Sequence, residues 1–331
     1  MADYRDTLIL PFEKGVLAEP RSGQHWVMMN AEQLPETFIH LKDKLICEQG
    51  FRPTFLDLEK AGFNVKPELE DGGTFHGCLI LCSRSRAINE GNAVRAWNAL
   101  HEGGVLAIAG NKTSGIQSLR KWVGQRVQIA GSLSKHHAVV FWLTKTGASW
   151  QLVERKKPVD GFLIEPGMFS ASGPDAGSKI LARHLDDRVF GHVADFGAGW
   201  GYLSKCLLDT CSRVEQLDLF EADHASLNAA RINVGDRAQY HWSDLTSEAP
   251  SGPFNWIIMN PPFHSGRAAL PDLGNQFIEA AARALPAGGR LLMVANNNLP
   301  YERTLQSLFK KVERIDQDMG FKVLEAVRGS R

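Results

Sequence analysis

Seven consecutive residues in the second half of the chain, Asp195-Phe196-Gly197-Ala198-Gly199-Trp200-Gly201, follow an apolar run and precede a helical one, and they constrain the fold more than any other feature. Glycine at alternate positions opens backbone conformations closed to residues with a Cβ and lets a ligand approach bare peptide groups. The surrounding pattern says what such a turn is embedded in. Strand-like runs at 193–196, 216–220, 256–259 and 291–294 alternate with helical stretches at 203–208, 225–234 and 273–285. That alternation is the mark of βαβ units and a mainly parallel, doubly wound sheet.

The first half carries a weaker echo of the same plan. Residues 79–82, the helical 92–100, Glu102-Gly103-Gly104 and the strand-like 105–109 resemble 256–259, 277–285, Ala287-Gly288-Gly289 and 290–295, and Asn111 falls where Asn296 does. A duplicated domain explains the echo; a recurring Gly-Gly turn before a strand is the alternative. Where the second half has Asn260-Pro261-Pro262-Phe263 the first has Ser83-Arg84-Ser85-Arg86, and no Asp-x-Gly-x-Gly-x-Gly occurs before residue 150. The expected architecture is therefore α/β, two tandem Rossmann-like domains, residues 1–157 and 158–331, with the N-terminal copy degenerate and left to substrate recognition or structure. The polar segment 147–160, with Lys156-Lys157-Pro158, marks the boundary.

A chain of 331 residues, 44% hydrophobic and 22% charged, has the length and composition of a soluble two-domain enzyme. Its five cysteines form no C-x-x-C pair and no zinc-ligand spacing with histidine, so buried reduced thiols and no metal are expected. No apolar segment is long enough to span a bilayer, and residues 1–16 are too charged for a secretory signal, which makes cytoplasm the expected compartment. Residues 1–157 hold 20 basic and 16 acidic side chains, net +4, and 158–331 hold 17 and 21, net −4. Four charges spread over a domain fall short of a nucleic-acid footprint, so charge does not name a partner.

A dinucleotide fingerprint needs its third glycine three residues after the second, where this chain has Tyr202, so a nicotinamide cofactor is disfavoured. Gly197, Gly199 and Gly201 instead fit an S-adenosylmethionine (SAM) loop, with Asp195 facing the amino acid portion of the cofactor. Glu221, about twenty residues on at the end of the next strand, is placed to accept from both ribose hydroxyls, ahead of Asp218 inside that strand. Asp244, after a short strand, is the candidate acceptor for the adenine amine. Next comes a buried strand ending in Asn260-Pro261-Pro262-Phe263. Two prolines remove two donors and leave the Asn260 side chain and nearby carbonyls as acceptors. An exocyclic amine or amide nitrogen is a poor nucleophile because its lone pair is delocalised. Hydrogen bonds from it to Asn260 and the Pro261 carbonyl, with Phe263 stacked on the plane, answer that need without a metal.

These motifs resemble the bacterial ribosomal RNA guanine-N2 methyltransferases, the small-subunit methyltransferase C and large-subunit methyltransferase G group. The resemblance rests on Pro166-Gly167-Met168-Phe169-Ser170, Asp175-x-Gly177-Ser178, the glycine loop, Asn260-Pro261-Pro262-Phe263-His264, and Val294-Ala295-Asn296 with Leu299-Pro300-Tyr301. It covers about residues 160–331 closely and the first half only in plan. It implies a tandem in which only the C-terminal domain binds SAM, methylation of a guanine N2 in ribosomal RNA, 16S ahead of 23S, and ribosomal RNA or a ribosomal subunit as partner. Phe169 then closes over the site, or else is a core aromatic, and His264 touches substrate or is a solvated loop residue. Trp200 departs from the family, which has a small residue there, and Asn296-Asn297-Asn298 is unusually polar. Two rival readings remain: methylation of adenine N6 or a protein glutamine by the same fold, and a non-catalytic RNA-binding assembly factor. The expected oligomeric state is a monomer.

Overall fold

The computed structural model describes residues 3–70, 72–151, 157–262, 264–265, 268–269 and 271–330. The chain divides into two compact units, Met1–Arg155 and Lys156–Arg331. In the first unit the strands are β1 (Trp26–Met29), β2 (Leu45–Glu48), β3 (Asn64–Lys66), β4 (Phe75–Leu81), β5 (Leu100–Asn111), β6 (Gly131–Lys135) and β7 (Ala138–Thr144). They form one sheet in the order β3-β2-β1-β4-β5-β7-β6. Its helices are α1 (Tyr4–Glu13), α2 (Arg52–Lys60), α3 (Arg86–Ala99) and α4 (Ile116–Gly124). The second unit opens with a hairpin of β8 (Lys157–Val159) and β9 (Phe162–Ile164), followed by α5 (Ala176–Ala182). Then come β10 (Gly191–Phe196), α6 (Tyr202–Thr210), β11 (Val214–Glu221), α7 (His224–Val234), β12 (Gln239–Trp242) and β13 (Trp256–Met259). A short pair, β14 (His264–Ser265) with β15 (Ala268–Ala269), precedes α8 (Pro271–Ala284), β16 (Arg290–Asn296), α9 (Tyr301–Leu308), β17 (Lys311–Asp318) and β18 (Phe321–Val327). The sheet order β12-β11-β10-β13-β16-β18-β17 repeats that of the first unit strand for strand, and both are Rossmann-like α/β sheets.

Strand position accounts for strand composition. Parallel neighbours and helices bury β13 on both sides and both faces, so Trp256, Ile257, Ile258 and Met259 are all buried, and the run is apolar without alternation. The edge strand β17, paired on one side only, is largely polar and half-exposed. One face of the sheet packs Phe196, Phe254, Ile257 and Met293 against α8 and α9, and the other packs Val193, Leu217, Ile258 and Val294 against α5, α6 and α7. Each side chain so buried stabilises the fold by about 1.5–3 kcal/mol.

The antiparallel end of each sheet closes with a two-residue hairpin whose turn residues both have positive φ: His136 (50°) and His137 (56°), and Met319 (46°) and Gly320 (85°). That is the twist a type I′ turn demands. The histidine pair is thus a turn, with no chemistry asked of it. Four of the five free cysteines, Cys47, Cys78, Cys82 and Cys211, are buried. Among the described residues no His/Cys/Asp/Glu group could hold a metal, and no helix is long and apolar enough to cross a membrane.

Candidate functional site

The site assembles at the carboxyl ends of β10, β11 and β13, where the parallel strands all point their last residues the same way. Asp195, next to last on β10, is 1% exposed. Its Oδ2 accepts from the Ser204 hydroxyl at 2.7 Å, while Oδ1 is buried and has no partner among the described residues. Burial pushes this carboxyl up to about 7, against the Ser204 hydrogen bond, which favours the ionised form.

The loop then turns through Gly197, Gly199 and Gly201 at φ 74°, 56° and 91°. The two later glycines are needed for different reasons. A Cβ on Gly201 would stand 2.7 Å from Val234 and 3.2 Å from Ala230 Cβ, so this glycine lets α6 pack on α7. A Cβ on Gly199 would meet nothing within 4 Å, and this glycine borders an open cleft. Glu221, half-buried at the end of β11, locks this turn: Oε2 accepts from the Gly199 N–H at 2.7 Å and Oε1 from the Asp223 N–H at 2.8 Å. Burial pushes Glu221 up to about 6 against those backbone donors. A carboxylate has about four acceptor positions, so these backbone donors do not exhaust it. Asp218, the weaker candidate, is taken by structure: His192 and His241 each bond to it at 2.5 Å on a sheet face.

Asn260 follows β13, and its amide orientation is decided by its neighbours. The side-chain nitrogen donates to Asp175 Oδ2 and to the Ser178 hydroxyl, both at 2.9 Å. An ionised carboxylate only accepts, so the nitrogen must face Asp175 and the oxygen is left over. Asn260 Oδ1 is buried with no partner among the described residues. Asp175 is held in turn as the N-cap of α5, accepting from the Ser178 N–H.

A cleft of about 400 Å³, measured with its open mouth, is lined by Phe169, Asp175, Gly197, Gly199, Trp200 and Asn260 among others. Phe169 is 59% exposed there, which removes its reading as a core aromatic. A larger surface depression, bordered by Pro253, Arg283, Pro286 and Arg328, lies at the amino-terminal ends of the strands and contains none of the candidate residues. Among the described residues no Lys or Arg pairs with Asp175, Asp195 or Glu221, so the site favours a cation.

Not every candidate converges. Asp244 lies just beyond β12, two strands from β10, and its carboxylate accepts from the Thr246 N–H, the Thr246 hydroxyl and the Ser247 hydroxyl, largely satisfied within its own loop. Pro261 is buried and Pro262 exposed beside Asn260. Phe263 lies outside the described residues, and for His264 the backbone alone is described, in β14. Three residues entered that motif reading left without a role. Ser204 holds Asp195, Asn233 bonds to the backbone of Leu163 and Trp200, and Trp200 bonds to the Phe169 carbonyl. Only Trp200, as a departure from the family, carried a signal.

Residues 161–325 match the family model described as the methyltransferase small domain. The chain belongs to that family. Among curated relatives, the ribosomal RNA small subunit methyltransferase C of Salmonella newport (strain SL254) is 37% identical over 174 residues, 51% of this chain and 50% of that protein. The protein of the same name from Salmonella agona (strain SL483) matches equally. The chain thus spans, in these matches, about half the length of the curated relatives. Among solved structures, the T. thermophilus 16S rRNA N2 G1207 methyltransferase (RsmC) in complex with AdoMet and guanosine has a TM-score of 0.81 at 24% identity, covering 98% of this chain and 91% of that one, and so shares the fold.

The strand register of the first unit shows which residues stand at the equivalent places. Met29 lies opposite Glu48 and Ile80 as Phe196 lies opposite Phe220 and Met259. Met28 therefore stands where Asp195 stands, Gln49 where Glu221 stands, and Leu81 where Asn260 stands. Gln49 keeps the local geometry, accepting from the Phe51 N–H at 2.8 Å as Glu221 does from Asp223, but its amide donates to the Ala31 carbonyl at 2.6 Å and so fills the turn. This register corrects the sequence comparison of 79–82 with 256–259 by two residues: Gly77–Ile80 is the true counterpart. The apolar run looked like the whole strand because His76 and Gly77, which separate it from Phe75 at the start of β4, carry no hydrophobic signal.

Proposed function

We propose that the second unit, residues 158–331, is a SAM-dependent methyltransferase acting on the exocyclic N2 amine of a guanine in ribosomal RNA, 16S ahead of 23S. The observation that carries it is the Asn260 amide, turned by Asp175 so that an unpartnered acceptor borders a cleft beside the glycine loop. The residues fit SAM on independent grounds: an orphaned Asp195 oxygen for an ammonium group, open space at Gly199, spare acceptor capacity on Glu221, and, among the described residues, no cationic side chain paired with the three carboxylates. When bound, SAM supplies a sulfonium methyl as the electrophile.

What this chain's own residues do follows from their chemistry. Asp195 and Glu221 bind and orient the cofactor's amino acid and ribose ends; Asp244 has one acceptor position left for an adenine amine. Asn260 Oδ1, with the Pro261 carbonyl, accepts from the target amine, drawing its lone pair out of conjugation, and Phe169 offers a face on which the base stacks. Phe263 and His264 remain as proposed substrate contacts, and Pro262 as the rigid end of the loop. No metal takes part. The first unit, residues 1–157, serves recognition or support, and the protein works as a cytoplasmic monomer on ribosomal RNA or a ribosomal subunit.

The names of the curated relatives and of the RsmC structure, with its guanosine, support the guanine reading. It is tested by incubating the protein with methyl-labelled SAM and, separately, small subunits, large subunits and deproteinised rRNA, then digesting to nucleosides. Label in N2-methylguanosine is the expected result. Label in N6-methyladenosine or in protein would keep the cofactor and discard the guanine, and binding without transfer would leave an assembly role.

A further inference from the structure

We propose that Trp200 is a positioning residue for the target base, holding the Phe169 platform in place through a hydrogen bond from its indole N–H to the Phe169 carbonyl. This rests on the methyltransferase reading above and deepens it. Trp200 sits inside the glycine loop, between Gly199 and Gly201, and its side chain is 4% exposed. The indole Nε1 donates to the Phe169 carbonyl at 2.9 Å, and the ring packs on Phe162 and Tyr202 with centroids 5.0 and 5.9 Å away. Its own carbonyl is held from α7 by Asn233, whose amide also bonds both backbone groups of Leu163 at 2.7 and 3.0 Å.

The irregular segment 165–173 has need of such a tie. The hydrogen bonds of Met168, Ser170 and Gly173 stay within the segment itself: Met168 N to the Glu165 carbonyl, Ser170 Oγ to the Gly173 carbonyl, and Gly173 N to the Ser170 carbonyl. Ser170 has φ 52°, a left-handed conformation that a non-glycine residue keeps only where its surroundings impose it. Next to it the Phe169 ring stands 59% exposed at the cleft that Asn260 lines. An aromatic face held rigidly there costs little ordering entropy when a base stacks on it, and that saving is lost if the segment moves. A small residue at this place in the loop could not reach the Phe169 carbonyl. The bulk of Trp200 therefore joins the cofactor loop to the base platform directly.

Trp200→Phe keeps an aromatic ring in the cluster and removes the N–H. We expect SAM affinity within about twofold of wild type and kcat/KM for rRNA lowered roughly three- to tenfold, the worth of one hydrogen bond. Amide exchange in 165–173 should quicken by a similar factor. Phe169→Ala should lower kcat/KM by itself, and the double variant should be no worse than Phe169→Ala, since Trp200 acts through that residue. Losses that multiply, a SAM affinity that falls in step with activity, or unchanged kcat/KM and exchange in Trp200→Phe would each overturn the proposal. Trp200→Leu, apolar and also without the N–H, is read the same way if the Phe variant does not accumulate. Failure of the functional reading is a separate result, the absence of N2-methylguanosine with wild-type protein, and the exchange of 165–173 then decides the role of Trp200.

Discussion

Asn260→Ala separates catalysis from folding. Asn260 Oδ1 has no hydrogen-bond partner among the described residues, so its loss removes no acceptor interaction with them. The lost Nδ2 donor leaves Asp175 Oδ2 with the Ser178 N–H at 3.1 Å, and Ser178 Oγ free to turn to other partners. The expected destabilisation is about 1 kcal/mol, a fall of roughly 2–4 °C in Tm for a unit of this size. The catalytic loss should be far larger. A preorganised group aimed at charge that develops in the transition state is worth about 10²–10³ in rate, or roughly 3–4 kcal/mol. Single-turnover transfer from labelled SAM to rRNA, at saturating protein and SAM, measures that step directly, and calorimetry gives the SAM affinity alongside it. If Asn260→Ala transfers methyl within threefold of wild type while Tm falls as stated, the assignment of the orphaned oxygen to the target amine is wrong. If Tm falls by more than about 10 °C, Asn260 is structural and the rate says nothing.

Three further predictions follow from the same geometry. Asp195 has a folded pKa of about 7 against 3.8 for the free side chain, so between those values the folded protein without ligand holds a proton that the unfolded chain lacks, and its stability falls as pH rises through that window. SAM, bringing an ammonium group to the ionised form, should release a proton near pH 7 and weaken about tenfold per pH unit below it; calorimetry in two buffers of different ionisation enthalpy checks this, and a flat affinity from about pH 5.5 to 8 would refute it. Gly201→Ala meets Val234 at 2.7 Å and should cost about 2–4 kcal/mol of stability, whereas Gly199→Ala points into open space and should cost about 1 kcal/mol of stability but most of the SAM affinity; equal effects in thermal melts and binding would contradict the division of roles. Burial opposes ionisation of Asp218, but hydrogen bonds from His241 and His192 hold its carboxyl below the usual range, so Asp218→Asn should destabilise by about 2–4 kcal/mol in denaturant unfolding and leave SAM affinity unchanged.

How far the site was legible depended on how local its signals were. Gly197, Gly199, Gly201 and Glu221 could be read because backbone conformation and the spacing to the next strand end are properties of neighbouring positions. Asp244 was placed by the same rule and turned into its own loop, since a Thr and a Ser within three residues offered it nearer donors. The helix α3 begins at Arg86, six residues before its apolar pattern does, because Ser85 caps it by accepting from the Ile88 N–H. The echo between the halves was visible, yet its register was off by two, because a strand's start is set by what it pairs with and not by where its hydrophobicity begins.

The chain's own order of residues determined the α/β class, the duplicated plan, the glycine loop, and Asn260 as the polar end of a buried strand. Only the tertiary structure decided that Asp175, 85 positions from Asn260, orients its amide, that two histidines claim Asp218, that Gln49 fills the first unit's turn, and that Trp200 reaches the Phe169 carbonyl, 31 positions away. Spacing reports which backbone conformations are open to a segment. Hydrogen-bond partners distant in sequence are chosen by packing, and nothing in the local pattern encodes that choice.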